Sequence, residues 1–352
     1  MRVVVVGPGS VGSFLAATLA AAGVETVLAG RGDGAGQVRG LRVTGVGGDV
    51  LATLTFAGLE RLVRSEPPDA VLLAVRQPDL AAAVASIAAW PSVAVVTVQN
   101  GIGAEALVAE ARPTGPLVAA ALTTSVGLLP DGSVRRLTRG GIGLSAVTPS
   151  ARPIARSVAS AFVRGGLRAR VYRDPAAMKW SKLLANLVAN ATSALLDLDP
   201  ADVYADPRLF EVERRQLREA LEVMRRLGLR PVALPGADAR LLALALRLPD
   251  AVARPILRAV VAGGRGGKSP SLRLALTAPA SEASPRETEV NWLNGAVAAE
   301  GRRLGVPTPV NATLARLVGE AARQPRPGGG LRVAPSDRAA LLAAIDAAAH
   351  GS

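Results

Sequence analysis

The sequence contains no cysteine and a single histidine, His350. Without cysteine, the chain can form no disulfide, carry no thiolate nucleophile and bind no zinc or iron–sulfur cluster through cysteine. One histidine near the C-terminus argues against a Ser-His-Asp triad and against a site built from several histidines, so we predict no metal. Acid–base chemistry is therefore expected from lysine, aspartate, glutamate or one of only two tyrosines.

Aromatic residues make up only 3% of the chain. No segment of about 18 residues is apolar enough to span a membrane. The apolar run at the N-terminus stops at a glycine turn, unlike that of a signal peptide. Because cysteine is also absent, we expect a cytoplasmic protein without a membrane partner. The sequence is compatible with a homodimer.

Basic residues outnumber acidic ones, which gives a net charge of +13 at pH 7. Of the 41 basic residues, 38 are arginines, and they are spread along the chain as GC-rich coding would produce. Aromatic side chains that could stack on bases are scarce. We therefore predict no nucleic-acid partner, and we expect the charge to attract an anionic small molecule.

The 352 residues are enough for two domains, and 49% of them are hydrophobic. In the first half, short apolar runs alternate with helix-prone stretches, which is typical of a doubly wound parallel sheet. We predict an α/β, Rossmann-type domain over residues 1–173. Its predicted elements are strands at 2–6, 24–29, 70–75 and 93–98, a helix at 11–22, an antiparallel excursion over 41–56, and a pairing of 134–137 with 142–145.

Long helical segments dominate the chain from about residue 174 onward, and they predict an all-helical substrate domain over residues 174–323. The predicted helices cover residues 176–197, 206–228, 236–262, 287–304 and 309–323. The segment Gln324–Leu331 is rich in proline and glycine and predicts a linker. With a last helix that ends at Ala349, it forms a separate C-terminal region, residues 324–352.

A GxGxxG motif, Gly7-Pro8-Gly9-Ser10-Val11-Gly12, follows the first predicted strand and opens the first predicted helix. That context raises the value of a motif that is weak alone. Gly7 allows the tight turn, Gly9 lets the backbone approach a pyrophosphate, and Gly12 allows close helix–strand contact. The six residues are therefore the predicted binding segment for a dinucleotide, whose phosphates a helix N-terminus also favours. The alternative is an ordinary strand-to-helix turn that binds no dinucleotide.

The end of the second predicted strand indicates which dinucleotide is bound. An NAD site places an acidic residue there, about 20 residues on, to bind the ribose hydroxyls. This chain has Ala29-Gly30-Arg31, and a guanidinium at Arg31 suits a 2′-phosphate. The sequence therefore favours NADP(H), with a plain surface arginine as the alternative.

Two of only three lysines lie in Lys179-Trp180-Ser181-Lys182. Unlike a guanidinium, an ammonium can give up its proton, so lysine in an arginine-rich chain suggests a role in acid–base catalysis. On one continuous helix, Lys182, Asn186 and Asn190 form a single polar stripe. A solvated helix edge explains the same pattern, since lysine and asparagine are usually exposed.

Two further motifs favour the functional interpretation. Val98–Gly103, with Asn100 at its centre, follows a predicted strand at the end where open α/β sheets bind ligands. Thr288–Gly295 (TEVNWLNG) places Glu289 in an apolar helical stretch. With the glycine motif, the Trp180–Asn190 pattern and VPTPVNATL at 306–314, these segments make residues 1–320 resemble the ketopantoate reductase (2-dehydropantoate 2-reductase) family.

The resemblance implies NADPH-dependent reduction of a 2-keto acid to a 2-hydroxy acid, on the route to pantothenate. Lys182 matches the family's catalytic lysine and Glu289 its catalytic glutamate. The other residues that it implies are the nicotinamide- and substrate-side Asn100, the substrate-side Asn186, Asn190 and Ser271, and the phosphate-contacting Arg31 and Arg76, the last at a position where the family often has lysine.

The stretch that follows Ser271, residues 272–286, is longer than is usual in the family. Three alternatives stay open, and the longer stretch supports the first of them. One is a related reductase that acts on another bulky 2-keto acid, since fold does not determine substrate. A non-catalytic NADPH-binding protein is the second, and a basic nucleic-acid-associated protein is the third.

Overall fold

The computed structural model describes residues 1–264, 270–277, 288–323 and 335–350. The chain divides into two compact units. We call the first the sheet unit; it consists of Met1–Gln99, Gly103–Lys179 and Ala233–Ala237. The helical unit consists of Asn100–Ile102, Trp180–Val232 and Asp238–Ser352.

The elements of the sheet unit alternate as the sequence predicts. Its strands are β1 (Arg2–Val6), β2 (Glu25–Gly30), β3 (Gln37–Gly45), β4 (Val50–Gly58), β5 (Ala70–Leu73), β6 (Ala94–Thr97), β7 (Leu117–Leu122), β8 (Val126–Leu128), β9 (Val134–Arg136), β10 (Ile142–Ala146) and β11 (Ala169–Tyr172). Its helices are α1 (Ser10–Ala21), α2 (Leu59–Leu62), α3 (Leu80–Ser86), α4 (Ala104–Ala111) and α5 (Arg152–Arg164), with 3-10 turns at Gln77–Asp79 and Pro149–Ala151.

The strands form one sheet in the order β11-β10-β7-β6-β5-β1-β2-β4-β3-β9-β8. At its centre, β1 is parallel to β2 and β5, and β6 is parallel to β5 and β7. This arrangement confirms the predicted Rossmann-type parallel sheet. The antiparallel pairing of β3 with β4 confirms the excursion predicted over residues 41–56.

The predicted pairing of residues 134–137 with 142–145 is wrong. The strand β9 pairs with β3 and β8, whereas β10 pairs with β7 and β11. The difference follows from burial: β10 is almost wholly buried and lies against the fully buried β7. The strand β9 carries Arg135 and Arg136 and lies near the edge of the sheet, where such side chains reach water.

The core of the sheet unit lies on both faces of the sheet, because successive side chains of a strand point to opposite faces. Val3 and Val5 belong to one apolar cluster, with Phe14 and Phe162. Val4 and Val6 belong to the other, which includes Trp90. Burial on both faces explains why β1 is a continuous run of valines rather than an alternating pattern.

The helical unit is built almost entirely of helices, as predicted. They are α6 (Pro175–Leu187, which starts in the sheet unit), α7 (Ala191–Leu196), α8 (Pro200–Ala205), α9 (Pro207–Arg226), α10 (Ala239–Ala245), α11 (Asp250–Gly264), α12 (Ser271–Thr277), α13 (Asn294–Leu304), α14 (Pro309–Arg323) and α15 (Pro335–His350). A 3-10 turn covers Glu289–Trp292. The short strands β12 (Ala233–Leu234) and β13 (Ala237–Asp238) form a hairpin that belongs to the sheet unit except for its last residue, Asp238.

The longest of these helices, α9, packs against α8, α13, α14 and α15. Its buried side chains include Phe210, Leu217 and Met224. None of the helices in the described ranges is long and apolar enough to cross a bilayer. The linker predicted at 324–331 lies outside the described residues, and α15 follows it where the last helix was predicted.

Three of the predicted long helices are interrupted. The prediction over 236–262 is wrong because β13 comes first and Pro249 separates α10 from α11. The helix predicted over 287–304 starts at a residue outside the described ones; from Thr288 onward, a 3-10 turn comes first and regular α-helix begins at Asn294. The helix predicted over 176–197 is broken between α6 and α7, which affects the candidate site directly.

Candidate active site

The glycine-rich turn of the sheet unit has the close packing that its motif predicts. Gly7 has a φ of +108°, a conformation that favours glycine. A Cβ atom on Gly12 would lie 1.9 Å from the carbonyl oxygen of Gly7. At Gly9, by contrast, a Cβ atom would meet no atom within 4 Å. The inner side of the turn is therefore closed by packing, whereas its outer side is open at the residue that should face a phosphate.

The turn leads directly into the N-terminus of α1. Gly9 is the N-cap residue, has no side chain to cap the helix, and is followed by a first turn without acidic residues. Backbone N–H groups at such an N-terminus lack helical partners and carry a partial positive charge. The turn and the helix N-terminus together can hold the pyrophosphate of a dinucleotide.

The loops beside this turn supply two arginines. Arg31 directly follows β2 and is exposed. Arg76 directly precedes the 3-10 turn after β5 and forms an exposed ion pair with Asp79 at 3.2 Å. An exposed ion pair contributes little to stability, so the pair with Asp79 does not prevent Arg76 from binding a phosphate oxygen. The exposed guanidinium of Arg31 can also bind one.

The two neighbouring lysines lie in different surroundings. Lys179 belongs to the sheet unit and is only 4% exposed. Its ammonium donates a hydrogen bond to the carbonyl oxygen of Gln99 and forms an ion pair with Glu105. Lys182 belongs to the helical unit and is half-buried. Lysine scarcity alone therefore could not tell a buried ion pair from a candidate acid–base group.

Asn186 lies one helical turn after Lys182 on α6, as the stripe predicts. Its side-chain Nδ2 donates a hydrogen bond to Oδ1 of Asn100 at 3.2 Å. The helix and the segment that follows β6 are thus brought together by two of the predicted site residues.

Asn190 departs from the predicted stripe, because α6 ends at Leu187 and Ala189 adopts a left-handed φ of 47°. The Lys182–Asn186–Asn190 stripe on one continuous helix is therefore wrong. Asn190 is instead the N-cap residue of α7 and is 2% exposed. Its amide donates to Oγ of Ser271 at 3.3 Å and accepts a hydrogen bond from the backbone N–H of Leu272 at 3.1 Å.

The break between α6 and α7 is held by a residue that sequence analysis missed, Glu213 of α9. This carboxylate is 0% exposed and accepts hydrogen bonds from the backbone N–H of Ala189 at 2.7 Å and the hydroxyl of Thr192 at 2.6 Å. Burial raises the pKa of Glu213 above its ordinary value of 4.5, although the hydrogen bonds from Thr192 and Ala189 oppose the shift. A glutamate on the apolar face of α9 was the available signal.

Glu289 lies on the 3-10 turn Glu289–Trp292 and is half-buried. The same turn meets the segment after β6, because the N–H of Ile102 donates to the carbonyl oxygen of Trp292 at 3.0 Å. Gly101 has a φ of +83°, and a Cβ atom on it would lie 2.2 Å from that oxygen. The contact between these two predicted motifs therefore requires glycine at position 101.

A buried amide network supports the elements around Glu289, and the sequence did not predict it. Asn294 donates to side-chain oxygens of Gln216 at 2.9 Å and Asn311 at 3.0 Å. Glu219 accepts the backbone N–H groups of Val310 and Asn311 at 2.9 Å, so it caps α14. Burial raises the pKa of Glu219. The network connects α9, α13 and α14 behind the Glu289 turn.

Two family models match the chain in sequence order. Residues 3–149 match the model described as ketopantoate reductase PanE/ApbA. Residues 174–322 match the model for the C-terminal part of the same family, ketopantoate reductase PanE/ApbA C terminal. Together they take in most of both units.

Individual relatives agree with this match. The chain is 29% identical over 322 residues to the 2-dehydropantoate 2-reductase of Halobacterium salinarum, covering 90% of this chain and 98% of the relative. It has the fold of the 2-dehydropantoate 2-reductase of Geobacter metallireducens, with 22% identity, a TM-score of 0.72, and coverage of 91% of this chain and 100% of that chain. A ternary structure of D-mandelate dehydrogenase with NADH and anilino(oxo)acetate shares the fold, with 19% identity, a TM-score of 0.71, and coverage of 92% and 98%. The chain belongs to the ketopantoate reductase family of dinucleotide-binding reductases.

Proposed function

We propose that this protein reduces 2-dehydropantoate to pantoate with NADPH, a step on the route to pantothenate. The observation that carries the proposal is the match of both family models, over residues 3–149 and 174–322. The relative from Halobacterium salinarum supports the choice of substrate, because the alignment covers 98% of its length.

The sheet unit has a donor set that fits NADP(H). The open outer side of Gly9 and the uncapped N-terminus of α1 suit the pyrophosphate. Arg31 offers a cation for the 2′-phosphate at the end of β2, where an NAD site has an acidic residue. Arg76 follows β5, which is parallel to β1, and its guanidinium is a further phosphate contact.

When bound, the nicotinamide supplies a hydride to C2 of the keto acid. Lys182 donates a hydrogen bond to the C2 oxygen, where negative charge develops, and then transfers the proton that completes the hydroxyl. Glu289 orients the Lys182 ammonium and accepts a hydrogen bond from the new hydroxyl. General acid catalysis of this kind contributes about 10²- to 10⁴-fold in rate.

Three polar side chains bind the rest of the substrate in this proposal, and a fourth holds one of them in place. Asn100 contacts both the nicotinamide and the keto acid, and Asn186, its hydrogen-bond partner, binds the carbonyl side of the substrate. Ser271 offers its hydroxyl to the carboxylate. Asn190 contributes by holding that hydroxyl and the first turn of α12 in place.

The test is an assay of the purified full chain with NADPH and with NADH against 2-dehydropantoate, 2-oxo-2-phenylacetate, 2-oxoisovalerate and pyruvate. We expect the highest kcat/KM for 2-dehydropantoate with NADPH. A higher value for another keto acid would support the related-reductase alternative. Tight NADPH binding without turnover of any keto acid would support the non-catalytic alternative. Either result would overturn the proposed substrate.

A further inference from the structure

The peptide bond that precedes Asn100 is held by a buried ammonium. Lys179 Nζ donates a hydrogen bond to the carbonyl oxygen of Gln99 at 2.7 Å and lies 3.0 Å from Oε1 of Glu105. The Lys179 side chain is only 4% exposed, so its charge is almost completely removed from water. A buried charge is tolerated where it is both paired and hydrogen-bonded, and Lys179 meets both conditions.

The partners of Lys179 are themselves held in place. Oε1 of Glu105 also accepts a hydrogen bond from the hydroxyl of Thr97 at 2.7 Å, which ties α4 to the last residue of β6. The side-chain amide of Gln99 donates to the carbonyl oxygens of Leu73 at 2.8 Å and Val75 at 3.0 Å. These contacts join the carboxyl ends of β5 and β6 and leave Gln99 little freedom to move.

We propose that Lys179 is a positioning residue, which sets the orientation of Asn100 through the Gln99–Asn100 peptide. This proposal rests on the role of Asn100 in the proposed function. A peptide unit is planar, so an ammonium that holds the Gln99 oxygen also fixes the direction in which the chain enters Asn100. On the other side of Asn100, the backbone is held at Ile102 by the carbonyl oxygen of Trp292.

Lysine suits this position because a carbonyl oxygen and a carboxylate converge on one point. An ammonium is a compact charge with three donors, whereas a guanidinium is larger and planar. Two of the donors of Lys179 serve Gln99 and Glu105. The role assigned to Lys179 is therefore orientation of the loop, and Lys182 remains the proposed proton donor.

The test is a double-mutant cycle of Lys179→Met and Asn100→Ala, assayed with NADPH and 2-dehydropantoate. Lys179→Met is expected to lower kcat by about 10- to 100-fold, because small misplacements of a contacting group cost up to about 100-fold in rate. In the Asn100→Ala background, the same substitution should change kcat by less than about threefold, since coupled effects are not additive. Equal losses in both backgrounds, or no loss, would overturn the proposal.

Two further variants separate positioning from simple damage to the fold. Lys179→Gln keeps a donor for the Gln99 oxygen, so it should retain more kcat than Lys179→Met, and it replaces that variant in the cycle if the latter fails to fold. Val158→Ala removes buried apolar volume on α5 of the same unit, where Val158 is 0% exposed. It should lower the free energy of unfolding. It should leave unchanged the effect of Lys179→Met on kcat in either background.

A readout without cofactor completes the experiment. In the free protein, Lys179→Met should speed amide hydrogen exchange in the peptide that covers residues 97–102, whereas Val158→Ala should not. Unchanged exchange there would contradict the positioning role. If the unmodified chain reduces no keto acid, the proposed function itself fails, which is distinct from an active enzyme whose cycle shows no coupling.

Discussion

The side-chain amide of Asn186 donates a hydrogen bond to the side-chain oxygen of Asn100 at 3.2 Å, although the two residues lie 86 positions apart. Asn100 follows β6 and Asn186 lies on α6, one turn after Lys182. Two motifs that are individually weak therefore converge on one site of the helical unit. This convergence is the structural reason to treat Lys182 as part of a site rather than as a solvated helix edge.

Replacement of Lys182 by alanine should lower kcat by at least about 100-fold, because the variant lacks the proposed proton donor for the developing alkoxide. The affinity for NADPH should change little, since the proposed phosphate-binding turn lies in the sheet unit. Single-turnover kinetics and a direct NADPH titration measure the two effects. Lys182→Arg is the matched control: it keeps the charge but holds its proton, so it should be nearly as slow. Near-normal turnover by Lys182→Ala would remove this residue from the mechanism.

Replacement of Arg31 by aspartate should weaken NADPH binding by about 10- to 100-fold, the equivalent of one lost charge-assisted hydrogen bond. NADH binding should stay the same or improve, because an acidic side chain at this place suits ribose hydroxyls. Titration of each variant with both cofactors measures the change. Arg156→Asp alters the net charge equally at an exposed position of α5 and should leave the NADPH:NADH preference unchanged. A preference of the unmodified protein for NADH would contradict the assignment of Arg31.

Local sequence signals predicted the parts of the molecule that depend on local physics. The valine run of β1, the glycines of the turn and the alternation of strands with helices each follow from short-range sterics and burial. The break after Leu187 does not follow from local signals. It depends on Glu213, which lies 24 positions after Ala189 and accepts a hydrogen bond from the N–H of Ala189. Likewise, burial within the whole sheet determines which strands pair with β9 and β10. The alternation of residues along each strand does not determine it.

Replacement of Gly12 by alanine should destabilise the fold by about 1–3 kcal/mol or more, because overpacking at a closed contact forces the backbone to shift. The new Cβ atom would lie 1.9 Å from the carbonyl oxygen of Gly7. Gly9→Ala is the matched control, since its Cβ atom would meet no protein atom within 4 Å. It should change the free energy of unfolding by less than about 0.5 kcal/mol. It should also weaken NADPH binding, because a methyl group would then face the proposed pyrophosphate site. Equal stability of the two variants in urea would contradict the packing argument.

Replacement of Glu213 by glutamine should alter how stability depends on pH. Burial raises the pKa of Glu213 above its ordinary value of 4.5, so between that value and the raised pKa the folded state binds more protons than the unfolded state. Stability from this group is therefore lost as pH rises through that window, by at most about 1.4 kcal/mol per pH unit. Glutamine does not titrate. The unfolding free energy of wild type should therefore increase relative to that of Glu213→Gln as pH falls through this window. Urea denaturation of both proteins across this range measures it. A difference independent of pH would mean that the carboxylate at the Ala189 break keeps an ordinary pKa.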